Sequence, residues 1–443
     1  MRRTRIGFGT TVAIACITVA GCIGGTDTRP DTGASITVFG PYRGAEADRF
    51  ADSVEEFTER TGVTIRYTGS ADFVTDLGLR TGELNDPPDV AMVPQPGLVR
   101  DLADTGRILE LSDEARAALA ANYSSEAMAL GDIDGTQFGV PFRANVKSLV
   151  WYRPSVFAAR GWALPRSLDE LEDLSARIQM GGEMAPWCLA IAAGTATGWP
   201  ATDWTEDLVL RLDGADVYNG WANGDLPFSS PEVSEAFDRF RSLVLAPGRL
   251  DGGTTTAVET GIRRVFDPLF GDEPGCAMAK QADFALGWMP ADTTVGPDGD
   301  VDFFVLPDVT ASDGVPPLVV GGDVAVQFRR DPDVDAFVAF LAGEQAGEPW
   351  ARQGGFLSPK SSFDPDVYPT SAQRRIAELL TTASTLAFDA SDQMPASIGS
   401  ALLWQDITLW VAGVADYEAM ALDLDDAFAA LDEASPLSSG TPP

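Results

Sequence analysis

The run Trp187–Trp204, WCLAIAAGTATGWPATDW, gathers three indoles, one carboxylate and a Gly-Trp-Pro corner. Trp199 and Trp204 stand among Gly198, Pro200 and Asp203, residue types that favour turns. Flat apolar rings beside a few polar groups suit a sugar ring, which offers C–H faces and a hydroxyl edge. Burial of the same indoles as core beneath a loop is the competing reading.

Other chemistry is narrowed by what the chain lacks. It has no histidine, which removes Ser-His-Asp and Cys-His catalysis and His-ligated metal sites. Carboxylate-pair chemistry stays open, because 66 acids face 31 bases. The formal charge of −35 repels nucleic acid and anionic headgroups. No cofactor and no metal is expected.

Residues 1–21 read as an export segment. Arg2, Arg3 and Arg5 precede an apolar run, Ile6 to Ala20, too short for a mature spanning helix. Val19-Ala20-Gly21-Cys22 resembles a bacterial lipoprotein box, implying cleavage before Cys22 and acylation of its sulfur. Residues 22–35 then form a polar tether, and 436–443 a disordered tail. Cys16 falls in the export segment, so Cys188 and Cys276 are left in the exported body. An oxidising medium predicts a disulfide between them, with two buried thiols as the alternative.

Order begins near Ile36. Ile36–Phe39 reads as a strand, and Phe50, Val54 and Phe57 mark a helix from Ala45 to Arg60 that stops at Gly62. Val63–Tyr67 and Asp89–Val93 continue the strands, with helices over Ala71–Leu84 and Gly97–Thr105. This alternation predicts a doubly wound α/β sheet. Phe138–Tyr152 is extended, as a crossover between lobes would be. Ser371–Leu386, Ala396–Val414 and Tyr417–Leu431 read as terminal helices.

Several of these stretches together resemble the extracellular solute-binding proteins of carbohydrate ABC importers, in particular α-glucoside and maltose-type binders. They are ITVFGPYRGAEADRF with FTERTGVTIRYTGSADF, PPDVAMVPQPGLVRDLADTGRILEL, VPFRANVKSLVWY, GWPATDW, VVGGDVAVQF with its following helix, and FDASDQMPASIGSALLW. The likeness runs from about residue 36 to 433. It implies a type II periplasmic-binding-protein-like α/β fold with hinge crossovers and C-terminal helices. Lobe one would take 36–142 and 321–358, and lobe two 143–320 and 359–435.

The resemblance also implies a site. Tyr42, Arg43 and Glu46 follow the first strand, Asp72 starts the second helix, and Gln95 follows the third strand. Arg143 and Asn145 lie in the crossover. Trp199, Asp203 and Trp204 supply the second wall. Phe284 or Trp288 provides a stacking ring, Trp404 another, and Asp392 is a weaker polar candidate. Lys147, one of three lysines, takes a buried or hinge role. Arg43 with Glu46 also fits a surface i,i+3 pair, Asp72 a helix-start acid, and Trp404 core packing. The aromatic that maltose binders place near Val93-Pro94-Gln95 is absent, which counts against maltose itself.

The implied function is capture of a sugar, a di- or oligosaccharide, at the outer face of the cell membrane. A lipid-anchored monomer would hand it to an ABC permease. One rival keeps the fold and binds a non-sugar solute. The other is a secreted glycosidase using Asp203 with Asp72 or Glu46, which needs two carboxyls ~5–9 Å apart.

Overall fold

The computed structural model describes residues 33–82 and 84–434. The export segment, Cys22, nearly all of the tether and the tail from 435 lie outside the described residues. The strands are Ser35–Gly40 (β1), Thr64–Gly69 (β2), Val90–Val93 (β3), Asp132–Ile133 (β4), Thr136–Gln137 (β5), Gly139–Val146 (β6), Leu149–Tyr152 (β7), Ala185–Cys188 (β8), Cys276–Lys280 (β9), Asp302–Val305 (β10), Leu318–Gln327 (β11) and Leu386–Phe388 (β12).

Two sheets organise two lobes. The first has the order β12-β11-β3-β1-β2, with β6 also on β11; the second has the order β10-β7-β9-β8. β1 alternates because Ile36 and Val38 bury while Thr37 faces out. It pairs in parallel with β2, Ile36 opposite Ile65. Parallel neighbours need a crossover. Helix Ala45–Thr61 supplies it, buries Phe50, Val54 and Phe57, and ends at Gly62 with φ 76°. Cys188 and Cys276 are joined as a disulfide, their Cα atoms 5.5 Å apart.

The chain passes between the sheets at three places: after β6, between β10 and β11, and after β12. Sheet membership crosses the lobe boundaries expected from sequence. β6 keeps residues through Val146 in the first sheet, β11 enters it at Leu318, and β12 returns a piece of 359–435 to it. Helix Ser371–Thr382 ends early for the same reason, since parallel pairing with β11 recruits Leu386–Phe388.

The tryptophan-rich run is less turn-like than its composition predicts. It contains β8, a loop with one short 3₁₀ turn, and a helix from Trp199 to Ala222 that kinks at Gly214. Pro200 sits in the helix's first turn, where a missing N–H costs nothing.

Candidate ligand site

A cleft of about 900 Å³ opens between the lobes. The loops after β1 and β3 bring Tyr42 and Gln95; the first turn of helix Ala45–Thr61 brings Glu46; β6 brings Arg143 and Asn145; β11 brings Asp323. This polar wall lies where ligands of wound sheets bind, beyond the strands' carboxyl ends. Arg143 Nη1 donates to Glu46 Oε1 at 3.3 Å. Its guanidinium also lies 4.8 Å from the Trp350 ring. Burial pushes the Asp323 carboxyl up to about 6, against the pull of Arg143.

The facing wall is aromatic. Trp199, Phe284, Trp288 and Trp404 line it, with Trp199 5.9 Å from Phe284 and Phe284 5.5 Å from Trp288 between centroids. Trp404 Nε1 donates to Ser391 Oγ at 3.2 Å, leaving its face for the cleft. It follows a π-helical turn, Ile398–Leu403. Gly198, just before Trp199, packs its backbone against that of Trp404. Its φ is 115°, and a Cβ there would stand 2.2 Å from the Trp404 carbonyl oxygen, so only glycine lets these backbones touch.

Five of the cleft's polar residues carry buried atoms with no hydrogen-bond partner: Tyr42 Oη, Gln95 Oε1, Asn145 Oδ1, Asp392 Oδ1, and Arg143 Nε and Nη2. Buried polar atoms are normally paired, and an unpaired one costs ~1–3 kcal/mol. These atoms include both donors and acceptors.

Beside the aromatic wall lies a buried charge cluster, of which Lys147 and Asp392 reach the cleft. Lys147 Nζ pairs with Asp203 at 3.1 Å, with Asp389 at short range and with Asp392 at 3.8 Å. Burial opposes the Lys147 charge, but Asp203, Asp389 and Asp392 outweigh it and raise its pKa well above the usual amine value. Asp203 itself is pushed up to about 6 by burial, with Lys147 pulling the other way. Asp203, Glu206 and Asp389 bring carboxylate oxygens within 4.8 Å of one another. The Lys147 ammonium already stands against Asp203 and Asp389, so the group reads as an ion-pair cluster rather than a metal centre.

Four expected site residues are placed elsewhere. Arg43 is exposed and outside the cleft, because Glu46 turns to Arg143 instead of forming the i,i+3 pair. Asp72 is exposed at the rim, where its Oδ1 accepts from Thr195 Oγ1 at 3.0 Å. Asp203 is held behind the wall by Lys147. Trp204 is core, stacked on Phe240 at 5.6 Å and edge-on to Trp187 at 4.9 Å. The remaining expected residues, with Asp392, line one cleft. Asp323 was missed. A carboxylate inside the apolar strand VVGGDVAVQF was the available signal, since acids in central strands are rarely buried without a purpose.

Neither Asp203 nor Asp72 faces the cleft, so the acid pairs of the hydrolase reading are not assembled. Residues 44–348 match the family of bacterial extracellular solute-binding proteins. The chain belongs to that family. A relative from Synechocystis, the osmoprotective compounds-binding protein GgtB, is 34% identical over 405 residues, 91% of this chain and 95% of its own. The α-glucosides-binding periplasmic protein AglE of Rhizobium meliloti is 35% identical over 389 residues, 86% of this chain and 84% of its own. Among solved structures, a chitin oligosaccharide binding protein superposes with a TM-score of 0.76 at 15% identity, covering 90% of this chain and 99% of that one. At that identity the likeness shows the fold, and the fold is the two-lobed one expected. This solute-binding protein is a receptor and not an enzyme. Among the described residues no helix is long and apolar enough to cross a membrane.

Proposed function

We propose that this solute-binding protein captures a small carbohydrate, a glucoside of two or a few rings, and delivers it to an ABC importer permease. The observation that carries the reading is the pairing of aromatic plates with unsatisfied buried polar atoms in one cleft. Trp199, Phe284, Trp288 and Trp404 would cover the C–H faces of the rings. Gln95, Asn145, Arg143 and Asp392 would take the hydroxyls, which both donate and accept. Tyr42, Glu46 and Asp323 complete the polar wall. Specificity follows, because an analogue lacking a hydroxyl leaves a buried partner unpaired. The α-glucosides-binding relative supports a glucoside as the ligand.

Lobe one, in this reading, comprises the first sheet with its helices, and lobe two the second sheet with the terminal helices. They close as a hinge about the ligand. The protein acts as a monomer on the outer face of the cell membrane, held by lipid on Cys22, a residue outside the described ones. A thermal-shift panel of maltose, trehalose, sucrose, cellobiose and glucose tests the ligand class. A ligand at 100-fold its Kd adds ~2.7 kcal/mol. A shift with phosphate or spermidine and none with any saccharide overturns the sugar reading. Intact recovery of the sugar by mass separates receptor from hydrolase.

A further inference from the structure

All three passages between the sheets converge on Lys147 and Ser148. Lys147 N donates to Val319 O at 2.9 Å, and Val319 N donates to Ser148 Oγ at 2.8 Å. Leu306 N donates to Ser148 O at 2.8 Å, which fixes the end of the β10 side. Asp389, the first residue after β12, donates its N–H to Val320 O at 2.8 Å and its carboxylate accepts from Lys147 Nζ. The Lys147 stem runs past Gly321, where a Cβ would stand 2.9 Å from Lys147 Cε. The ammonium then reaches Asp203, four residues along the same helix from Trp199, and lies 5.4 Å from the Trp199 ring.

We propose that Lys147 is a positioning residue that couples occupation of the aromatic wall to hinge closure. It rests on the reading of the cleft as a sugar site. One side chain touches the first and third passages and the helix that carries the stacking indole. A ring pressed on Trp199 therefore bears on the same ion pairs that fix how the strands cross. Lys147 faces the cleft, but its charge is spent on three carboxylates, so its effect on affinity runs through geometry. In a two-state hinge, a residue that favours the closed form scales the apparent affinity by the closed fraction.

The experiment compares wild type with Lys147→Met/Asp389→Asn. This pair removes one cation and one anion together, and the introduced asparagine would keep a carbonyl oxygen for the turn that Asp389 caps. Lys147→Met alone strands buried carboxylates and serves only as a folding control. Trehalose, sucrose and maltose are added, and affinity is read by tryptophan fluorescence and closure by small-angle scattering. The expected result is a folded double variant that binds about tenfold more weakly and no longer contracts with sugar. Without sugar, hydrogen exchange at the Val319 and Leu306 amides accelerates about tenfold in the double variant. Affinity and contraction within twofold of wild type, or unchanged exchange at both amides, overturns the proposal. If no sugar binds wild type, the carbohydrate reading falls, and the exchange result alone decides the role of Lys147.

Discussion

Thr195 Oγ1 donates to Asp72 Oδ1 across 3.0 Å, joining the loop ahead of Trp199 to the head of helix Phe73–Thr81 on the other lobe. Arg263 reaches Glu46 across the same cleft at 3.9 Å. Both contacts bridge the two walls of the cleft, so opening about the hinge would break them. Each is solvent-facing, so each contributes ~0.2–1 kcal/mol. Asp72→Ala is expected to weaken sugar binding two- to fivefold through the closed population, mostly in the dissociation rate, with the melting temperature unchanged. Stopped-flow fluorescence checks this. An effect confined to the association rate would count against a latch.

Trp199 and Trp204 should separate binding from stability. Trp199→Ala is expected to lower sugar affinity at least about tenfold, since base stability does not depend on a half-buried plate. Trp204→Phe is expected to lower the melting temperature, at a cost of ~1–3 kcal/mol for the core it leaves underfilled, and to keep Kd within twofold. Calorimetric titration and a melting curve on both variants check the split. Equal affinity loss in both would mean that Trp204 reaches the ligand.

The pH profile of stability has a defined sign. Burial pushes Asp203, Asp283 and Asp323 each up to about 6 in the fold. Between the ordinary carboxyl range and 6 the folded chain binds more protons than the unfolded one, so these groups lower stability as pH rises through that window. Asp207 and Asp389 go the other way. Burial opposes their ionisation, but Arg211 and Lys280 for Asp207, and Lys147 for Asp389, outweigh it and lower their pKa. Their contribution is lost as pH falls through those lowered values. The melting temperature should rise from pH 7.5 to about 5 and fall steeply below about 4. A monotonic rise up to pH 8 would contradict the assignment.

Glu206 is a member of the cluster that no cation touches: among the described residues no ion pair to it is formed. Its Oε1 accepts from Ser391 N at 3.2 Å, its Oε2 has no partner, and burial together with Asp389 and Asp203 raises its pKa well above the usual carboxyl value. Glu206→Gln is therefore expected to change stability by less than about 1 kcal/mol. Asp389→Asn, which takes from the Lys147 ammonium its nearest counter-charge, should cost ~3–5 kcal/mol. Urea unfolding at pH 7 checks both, and a large loss in Glu206→Gln would show an ionised carboxylate there.

Cys188 and Cys276 close a separation of 88 residues within the second sheet. The chain-entropy argument assigns such a link ~4–5 kcal/mol. Cys188→Ser/Cys276→Ser should melt lower by that measure and respond no further to reductant. Its affinity for sugar should hold within twofold, because neither cysteine lines the cleft.

Much of the architecture could be read without coordinates because it rests on local periodicity. Phe50, Val54 and Phe57 mark one helix face, and Ile36 and Val38 one strand face, in any environment. Leu386–Phe388 escaped for the opposite reason. Three apolar residues after a helix become a strand only when β11 offers an edge. The same division runs through the site. Tyr42, Gln95, Arg143 and Asn145 were legible only through the family resemblance of the stretches that carry them, and the wound sheet brings them to one crevice.

The indoles show where sequence stops. Composition established that three indoles stand within one short run beside turn-forming residues, that no histidine chemistry is possible, and which cysteines could pair. It could not say which indole faces outward. Five helical residues turn the chain by about 140° past a full circle, so Trp199 and Trp204 point to different surroundings once Pro200 and Gly198 start the helix. Asp203 lies near the Trp199 face, yet Lys147, distant in sequence, claims its carboxylate. Partners that meet only when three chain passages cross are invisible to any local pattern, and they decided which acids stay available to a ligand.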